Sequence, residues 1–104
     1  IENLIYTVSN EGYFFIIDDP TGNIIRITDV LKNFKDKSEI KPIGFIHAKN
    51  KIYVSLSNGR IVTINSTTGI QEKITKINNS KISRPYVLNN NMYLIKDNAL
   101  TKIE

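Results

Sequence analysis

The chain has 104 residues, 40% of them hydrophobic and 23% charged, a composition that fits one folded domain with a real core and excludes a disordered or fibrous chain. No apolar run approaches the roughly 20 residues that a membrane-spanning helix needs, and the absence of cysteine excludes a disulfide framework or a thiolate metal site within these residues while leaving the redox compartment open. The net charge of +4 and pI near 9.4 come from lysines scattered among abundant Asn and Ile, with alanine only at Ala48 and Ala99; this is a compositional bias and not the basic stripe of a nucleic-acid interface, so no nucleic-acid partner is expected.

The chain opens on Ile1, so an upstream part is expected outside the sequence, together with any signal peptide or lipid-anchor cysteine. Asn3 to Ile27, NLIYTVSNEGYFFIIDDPTGNIIRI, alternates β-branched and aromatic runs with turns at Gly12 and at Thr21-Gly22, which predicts an antiparallel meander of three strands. Residues 28–41, TDVLKNFKDKSEIK, are the one stretch with helical spacing, at Val30, Leu31 and Phe34. The lysines and acids around them predict a solvated loop with one turn of helix; a lid or docking loop would instead leave that apolar face exposed. A lead-in strand follows at Lys41-Pro42-Ile43-Gly44-Phe45-Ile46, with proline at the strand start, where a missing N–H does least harm.

Three more strands are predicted at Ile52 to Leu56, Arg60 to Ile64 and Ile70 to Ile77, joined by turns at Ser57-Asn58-Gly59 and Ser66-Thr67-Thr68-Gly69. A second lead-in strand, Arg84-Pro85-Tyr86-Val87-Leu88, precedes a further copy that starts at Asn91, turns at Asp97-Asn98 and runs through Leu100 to Glu104. The copies share a register: Tyr6 and Tyr53, Gly12 and Gly59, and Thr21-Gly22 and Thr68-Gly69 all stand at an offset of 47, without a gap. Met92-Tyr93-Leu94-Ile95 matches Ile52-Tyr53-Val54-Ser55.

The unit is therefore four strands, and the chain holds three strands of one unit at 3–30, a whole unit at 42–77 and three strands of another at 84–104. Strands such as Ile52-Tyr53-Val54-Ser55-Leu56 and Tyr13-Phe14-Phe15-Ile16-Ile17 are apolar on both sides, so one such sheet cannot shield itself and must stack on another. The expected fold is all-β: a partial β-propeller of about two and a half four-stranded antiparallel blades in a single domain, with ten strands and no convincing helix. Blade faces left uncovered predict self-association of the chain, as an oligomer or a domain swap.

No catalytic, cofactor-binding or metal-ligating residue is expected. Asp18-Asp19-Pro20-Thr21-Gly22-Asn23 is the most acidic turn, yet it lacks the spacing of a calcium loop and reads as a tight turn whose counterpart, Asn65-Ser66-Thr67-Thr68-Gly69, carries no carboxylate. His47 is the only histidine and has no serine or carboxylate at a suggestive spacing. Tyr6, Tyr53 and Tyr93 lack interleaved arginines, so they predict packing between blades and not base stacking; Phe14 and Phe15 predict core and blade interface. The sequons Asn65-Ser66-Thr67 and Asn78-Asn79-Ser80 match as often as an Asn-rich chain allows and carry no expectation.

The unit N-x-I-Y-V-x-x-x-N-G-x-I-x-x-I-N-x-x-T-G, carried by Asn50 to Gly69, resembles the repeat of the pyrroloquinoline quinone (PQQ)-like β-propeller family, and the strands with Pro42 and Pro85 resemble that family's first strand. The resemblance covers nearly the whole chain. It departs at the tryptophan that often closes each blade, with Ile27 and Ile74 near that place, which points away from the cofactor-binding branch.

Non-enzymatic members of the family include a lipoprotein of the outer-membrane β-barrel assembly machinery, the BamB-like group. The resemblance therefore implies a periplasmic, non-catalytic protein-interaction scaffold, without a cofactor. Its partners would be assembly components, and it would meet the membrane only through an anchor outside this chain. Propellers of the family commonly close with an N-terminal strand in the final blade, and a chain ending after three strands of its last blade, at Ile103-Glu104, fits that arrangement. The alternative implied is a C-terminal piece of a quinoprotein oxidoreductase, which would require an aromatic floor, a vicinal cystine and calcium ligands beyond a segment with no Trp or Cys. A sugar- or lyase-type enzyme on another propeller would require convergent charges at a channel mouth.

Overall fold

Two glycines one repeat apart set the bends from which the sheets grow. In the computed structural model, which describes residues 3–103, Gly12 and Gly59 occupy the left-handed region at φ 97° and 79°. Their N–H groups donate to the carbonyls of Ser9 and Leu56 at 3.0 and 3.1 Å, and their own carbonyls accept from Val30 and Ile77, each at 2.9 Å. A Cβ at Gly59 would fall 2.2 Å from the Asn78 carbonyl oxygen, and one at Gly12 would fall 2.6 Å from Leu31 Cδ1, so neither bend has room for another residue. Two-residue turns at Lys49-Asn50, Asn89-Asn90 and Asp97-Asn98 hold both residues at φ between 52° and 66°, the geometry that matches the twist of antiparallel strands.

Ten strands result among the described residues: β1 (Leu4–Val8), β2 (Tyr13–Asp18), β3 (Ile24–Asp29), β4 (Pro42–Ala48), β5 (Lys51–Leu56), β6 (Arg60–Asn65), β7 (Gln71–Lys76), β8 (Tyr86–Leu88), β9 (Asn91–Lys96) and β10 (Ala99–Ile103). One 3-10 turn spans Lys37–Glu39. The strands form three antiparallel sheets, β1-β2-β3, β4-β5-β6-β7 and β8-β9-β10. The first two repeat down to a register irregularity, which falls between Ile16 and Ile17 in one and between Thr63 and Ile64 in the other.

The sheets stack in chain order. Phe14, Ile16, Ile52, Val54, Leu56, Val62 and Ile64 form one core between the first and second sheets, joined by Tyr6, Val8 and Phe45 at its margin. Ile61, Ile82 and Leu94 form another between the second and third, with Tyr53, Met92 and Ile103 against it. Alternate residues of β5 and β6 thus enter opposite cores, as a period of two requires. The architecture is all-β, that of a partial β-propeller whose blades are four-stranded where complete; the three sheets do not close on themselves.

Three expectations are corrected. Residues 30–41 form the expected loop with one turn of helix, and Lys32, Asn33 and Lys35 to Glu39 are exposed, but Thr28 and Asp29 end β3, and Val30, Leu31 and Ile40 are not solvated: they are buried in the first core with Phe34 against them. Asp29 accepts from Leu31 N–H at 3.1 Å and pairs with Lys37 at 3.5 Å, which turns the chain so that its apolar side plugs the gap between blades; the alternative exposed docking face is absent for the same reason. The burial of both sides expected for Tyr13 to Ile17 holds only for the side carrying Phe14 and Ile16, because no described sheet covers the other. β7 is also two residues shorter than the predicted Ile70 to Ile77. Glu104, which ends the last predicted strand, lies outside the described residues.

Candidate functional site

The turns singled out in the sequence are structural. Thr21 Oγ1 donates to Asp18 Oδ2 at 2.6 Å and accepts from Asn23 N–H at 3.1 Å, so one carboxylate of the acidic turn is committed to holding the turn. Asn65 Oδ1 takes that place one repeat later, accepting from the N–H groups of Thr67 and Thr68 at 2.8 and 3.0 Å. Gly22 and Gly69 close the two turns at φ 74° and 75°. Asn65 of the first sequon is thereby tied into its own turn, and Asn78 of the second lies within 3.3 Å of the Ser80 hydroxyl.

Tyr6, Tyr53 and Phe14 pack between blades as expected, but Tyr93 and Phe15 do not: they lie on the faces of the third and first sheets that no described sheet covers. Tyr6 stacks on Phe14 with ring centres 6.0 Å apart, and Phe14 meets Phe45 edge to face at 5.7 Å. His47, exposed near the end of β4, rests 4.6 Å from the Tyr6 ring, so it belongs to the same inter-blade seam. Tyr53 occupies the equivalent seam one blade on.

Three contacts were not legible in the residue pattern. Thr28 Oγ1 donates across the first seam to the Gly69 carbonyl at 2.8 Å. Arg60 ties its own turn to the end of β7 by donating to the carbonyls of Asn58 and Asn78 at 2.8 and 3.1 Å. Gly44 lets β4 approach Arg84, where a Cβ would meet the Arg84 side chain at 2.6 Å.

Two grooves follow the seams. The larger, about 680 Å³, opens between the second and third sheets; Tyr53, Ile61 and Thr63 form its floor and Lys49, Lys51, Lys73, Lys102 and Glu72 its walls. The Lys51 ammonium is paired with Glu72, whose second oxygen accepts from Asn65 Nδ2 at 3.3 Å. The hydrogen bond from Lys51, then that from Asn65, hold the Glu72 carboxyl below the ordinary glutamate range. The groove is basic on balance and suited to hold acidic groups. The smaller groove, about 480 Å³, runs between β3 and the β6–β7 turn, with Ile27 and Ile70 exposed at its lip. Among the described residues no three of His, Cys, Asp or Glu converge as a metal would require.

No family model and no curated protein matches the sequence. Solved structures match the fold. The computationally designed Ika8 protein matches at a TM-score of 0.71 and 14% identity over 98% of this chain and 30% of its own. The quinohemoprotein alcohol dehydrogenase ADHIIG from Pseudomonas putida HK5, an enzyme with a PQQ-type propeller, matches at a TM-score of 0.71 and 19% identity over 90% of this chain and 15% of its own. The designed Ika4 protein matches at a TM-score of 0.52 and 15% identity over 99% of this chain and 86% of its own. The chain thus spans under a third of the first two, and at these identities the likeness is one of fold: a run of propeller blades.

Proposed function

We propose that this chain is a non-catalytic protein-interaction scaffold, with the blades as a rigid frame and the outer rim as the contact surface. The observation that carries this reading is the apolar lip of the smaller groove: Ile27 on β3 and Ile70 in the facing turn, which line it from two adjacent blades, are both more than half exposed. Exposed apolar side chains lining a groove on a rigid, mostly polar surface are what a protein partner buries. The sequence resemblance to the BamB-like lipoproteins supplies the finer form of the proposal: a periplasmic scaffold for outer-membrane protein assembly, held at the membrane by an anchor outside this chain.

The test is calorimetric titration of the chain with soluble domains of the outer-membrane assembly machinery. Binding that Ile70→Asp weakens at least about tenfold, roughly 1.4 kcal/mol, supports the reading; a lack of heat with every domain sinks its finer form.

A second reading is favoured by one observation, the match to a quinohemoprotein alcohol dehydrogenase over 90% of this chain. In it the chain supplies blades to a quinoprotein oxidoreductase whose cofactor site is built mostly by other residues. PQQ with calcium would then raise the melting temperature of the chain, since a ligand bound by the folded state alone stabilises it; an unchanged melting temperature counts against this reading.

A further inference from the structure

We infer that the chain binds copies of itself head to tail, the uncovered face of the third sheet seating on the uncovered face of the first. This inference holds whether the chain is a scaffold or part of an enzyme, because it rests on the repeat alone.

Each sheet presents two faces, and the register shows which residues share them. Cross-strand partners lie on one face, so Tyr6, Phe14 and Ile16 point toward the second sheet, while Ile5, Thr7, Phe15 and Ile17 point away. In the second sheet Ile52, Val54, Val62 and Ile64 meet the first sheet, and Tyr53 and Ile61 meet the third. In the third, Met92, Leu94 and Ile103 meet the second, and Tyr93, Ile95 and Leu100 point away.

Equivalent positions therefore face the same way round the stack. Ile5, Ile52 and Met92 are one back-face position; Phe14, Ile61 and Leu100 are one front-face position. Their exposure differs only because a neighbour is present or missing. Ile52 is 0% exposed and its counterpart Ile5 is 44%; Phe14 and Ile61 are 1% and 2% exposed, and Leu100 is 67%. Front meets back at both internal seams, so the open front of the third sheet and the open back of the first are the two halves of a contact that the chain already makes twice.

The occupant of each open face is thus a second copy in the same orientation. Front-to-front pairing would set Lys102, which takes the front position of Ile16 and Thr63, against its own copy, and like charges at close range oppose it. A front-to-back contact is heterologous: it adds copies in one direction, and closes into a ring if the turn between blades permits.

Two substitutions at residues exposed in the single chain separate the geometries without threatening the fold. Thr7→Glu blocks the back face, at the position of buried Val54; Leu100→Glu blocks the front. By sedimentation velocity up to about 100 μM, in the affinity range of a modest interface, the unsubstituted chain is expected to exceed 11.9 kDa. Each variant alone is expected to be a monomer, and an equimolar mixture to give a dimer through the one intact pair of faces. An unsubstituted chain that stays monomeric, a single variant that still associates, or a mixture that remains monomeric overturns the inference. Circular dichroism melts matching the parent confirm that each variant is folded.

Discussion

Thr28 Oγ1 donates to the Gly69 carbonyl at 2.8 Å, and this bond joins the outer strand of one blade to the outer turn of the next. The approach is close on both sides, since a Cβ at Gly69 would lie 3.2 Å from that same hydroxyl. Thr75 is the counterpart of Thr28 one repeat later, and the seam it faces has no fourth strand in the third sheet to receive it.

The first prediction follows from that asymmetry. Thr28→Val keeps shape but leaves the Gly69 carbonyl without its donor, and is expected to cost about 1 kcal/mol, a fall of about 4–8 °C in melting temperature for a domain of this size. Thr75→Val, with no side-chain hydrogen bond to lose among the described residues, is expected to move it by less than about 2 °C.

Gly59→Ala is expected to be far more damaging. The substitution forces a side chain into φ 79° and against the carbonyl oxygens of Asn78 and Ser80 at 2.2 and 2.6 Å, neither of which can yield without moving the chain that Arg60 holds. A loss of roughly 2 kcal/mol or more in urea unfolding is expected. Gly22→Ala, at φ 74° but with open space around its Cβ, is expected to show only the backbone cost, roughly 1 kcal/mol.

Ser55 offers a change in the other direction. Its hydroxyl is fully buried in the second seam with no hydrogen-bond partner among the described residues, at a position where the other two repeats place Val8 and Ile95. Ser55→Ala is expected to stabilise the chain by about 1 kcal/mol, read as a higher urea midpoint.

The Lys51–Glu72 pair predicts an acid limb. Because the Glu72 carboxyl titrates lower in the folded chain than in the unfolded one, its contribution is present above the ordinary glutamate value of 4.5 and is lost as pH falls through the folded value. The melting-temperature gap between the parent and Glu72→Gln is therefore expected to be constant at neutral pH and to narrow progressively as pH falls below 4.5. A gap that persists in acid would assign the effect to packing and not to charge.

Much of this architecture is legible in the residues. Gly12, Gly22, Gly59 and Gly69 mark bends that only positive φ can make, and the offset between them carries the register of two sheets. The Tyr6 and Tyr53 seams follow from the same alignment. What the pattern hides is what depends on the neighbour. The spacing of Val30, Leu31 and Phe34 shows an apolar side, but only the position of the second sheet makes that side a plug, and the lysines around it disguise the burial. The Thr28–Gly69 bond spans a seam between residues 41 positions apart, with nothing local to announce it. The basic groove is likewise a product of folding, because strand pairing within the second sheet brings Lys49 near Lys73, far apart in the sequence, and Lys102 joins them only when the third sheet faces the second.

The account rests on a central sheet covered on both faces by different neighbours. Methyl-resolved nuclear Overhauser spectroscopy tests it most directly. Val62 is expected to show cross-peaks with the first core, to Phe14, and Ile61, its neighbour in the chain, with the second core, to Leu94, with no cross-peak between Phe14 and Leu94. A Phe14–Leu94 cross-peak, or Ile61 and Val62 sharing one set of partners, would mean a single two-layer sandwich or barrel and would contradict the stacked-blade architecture.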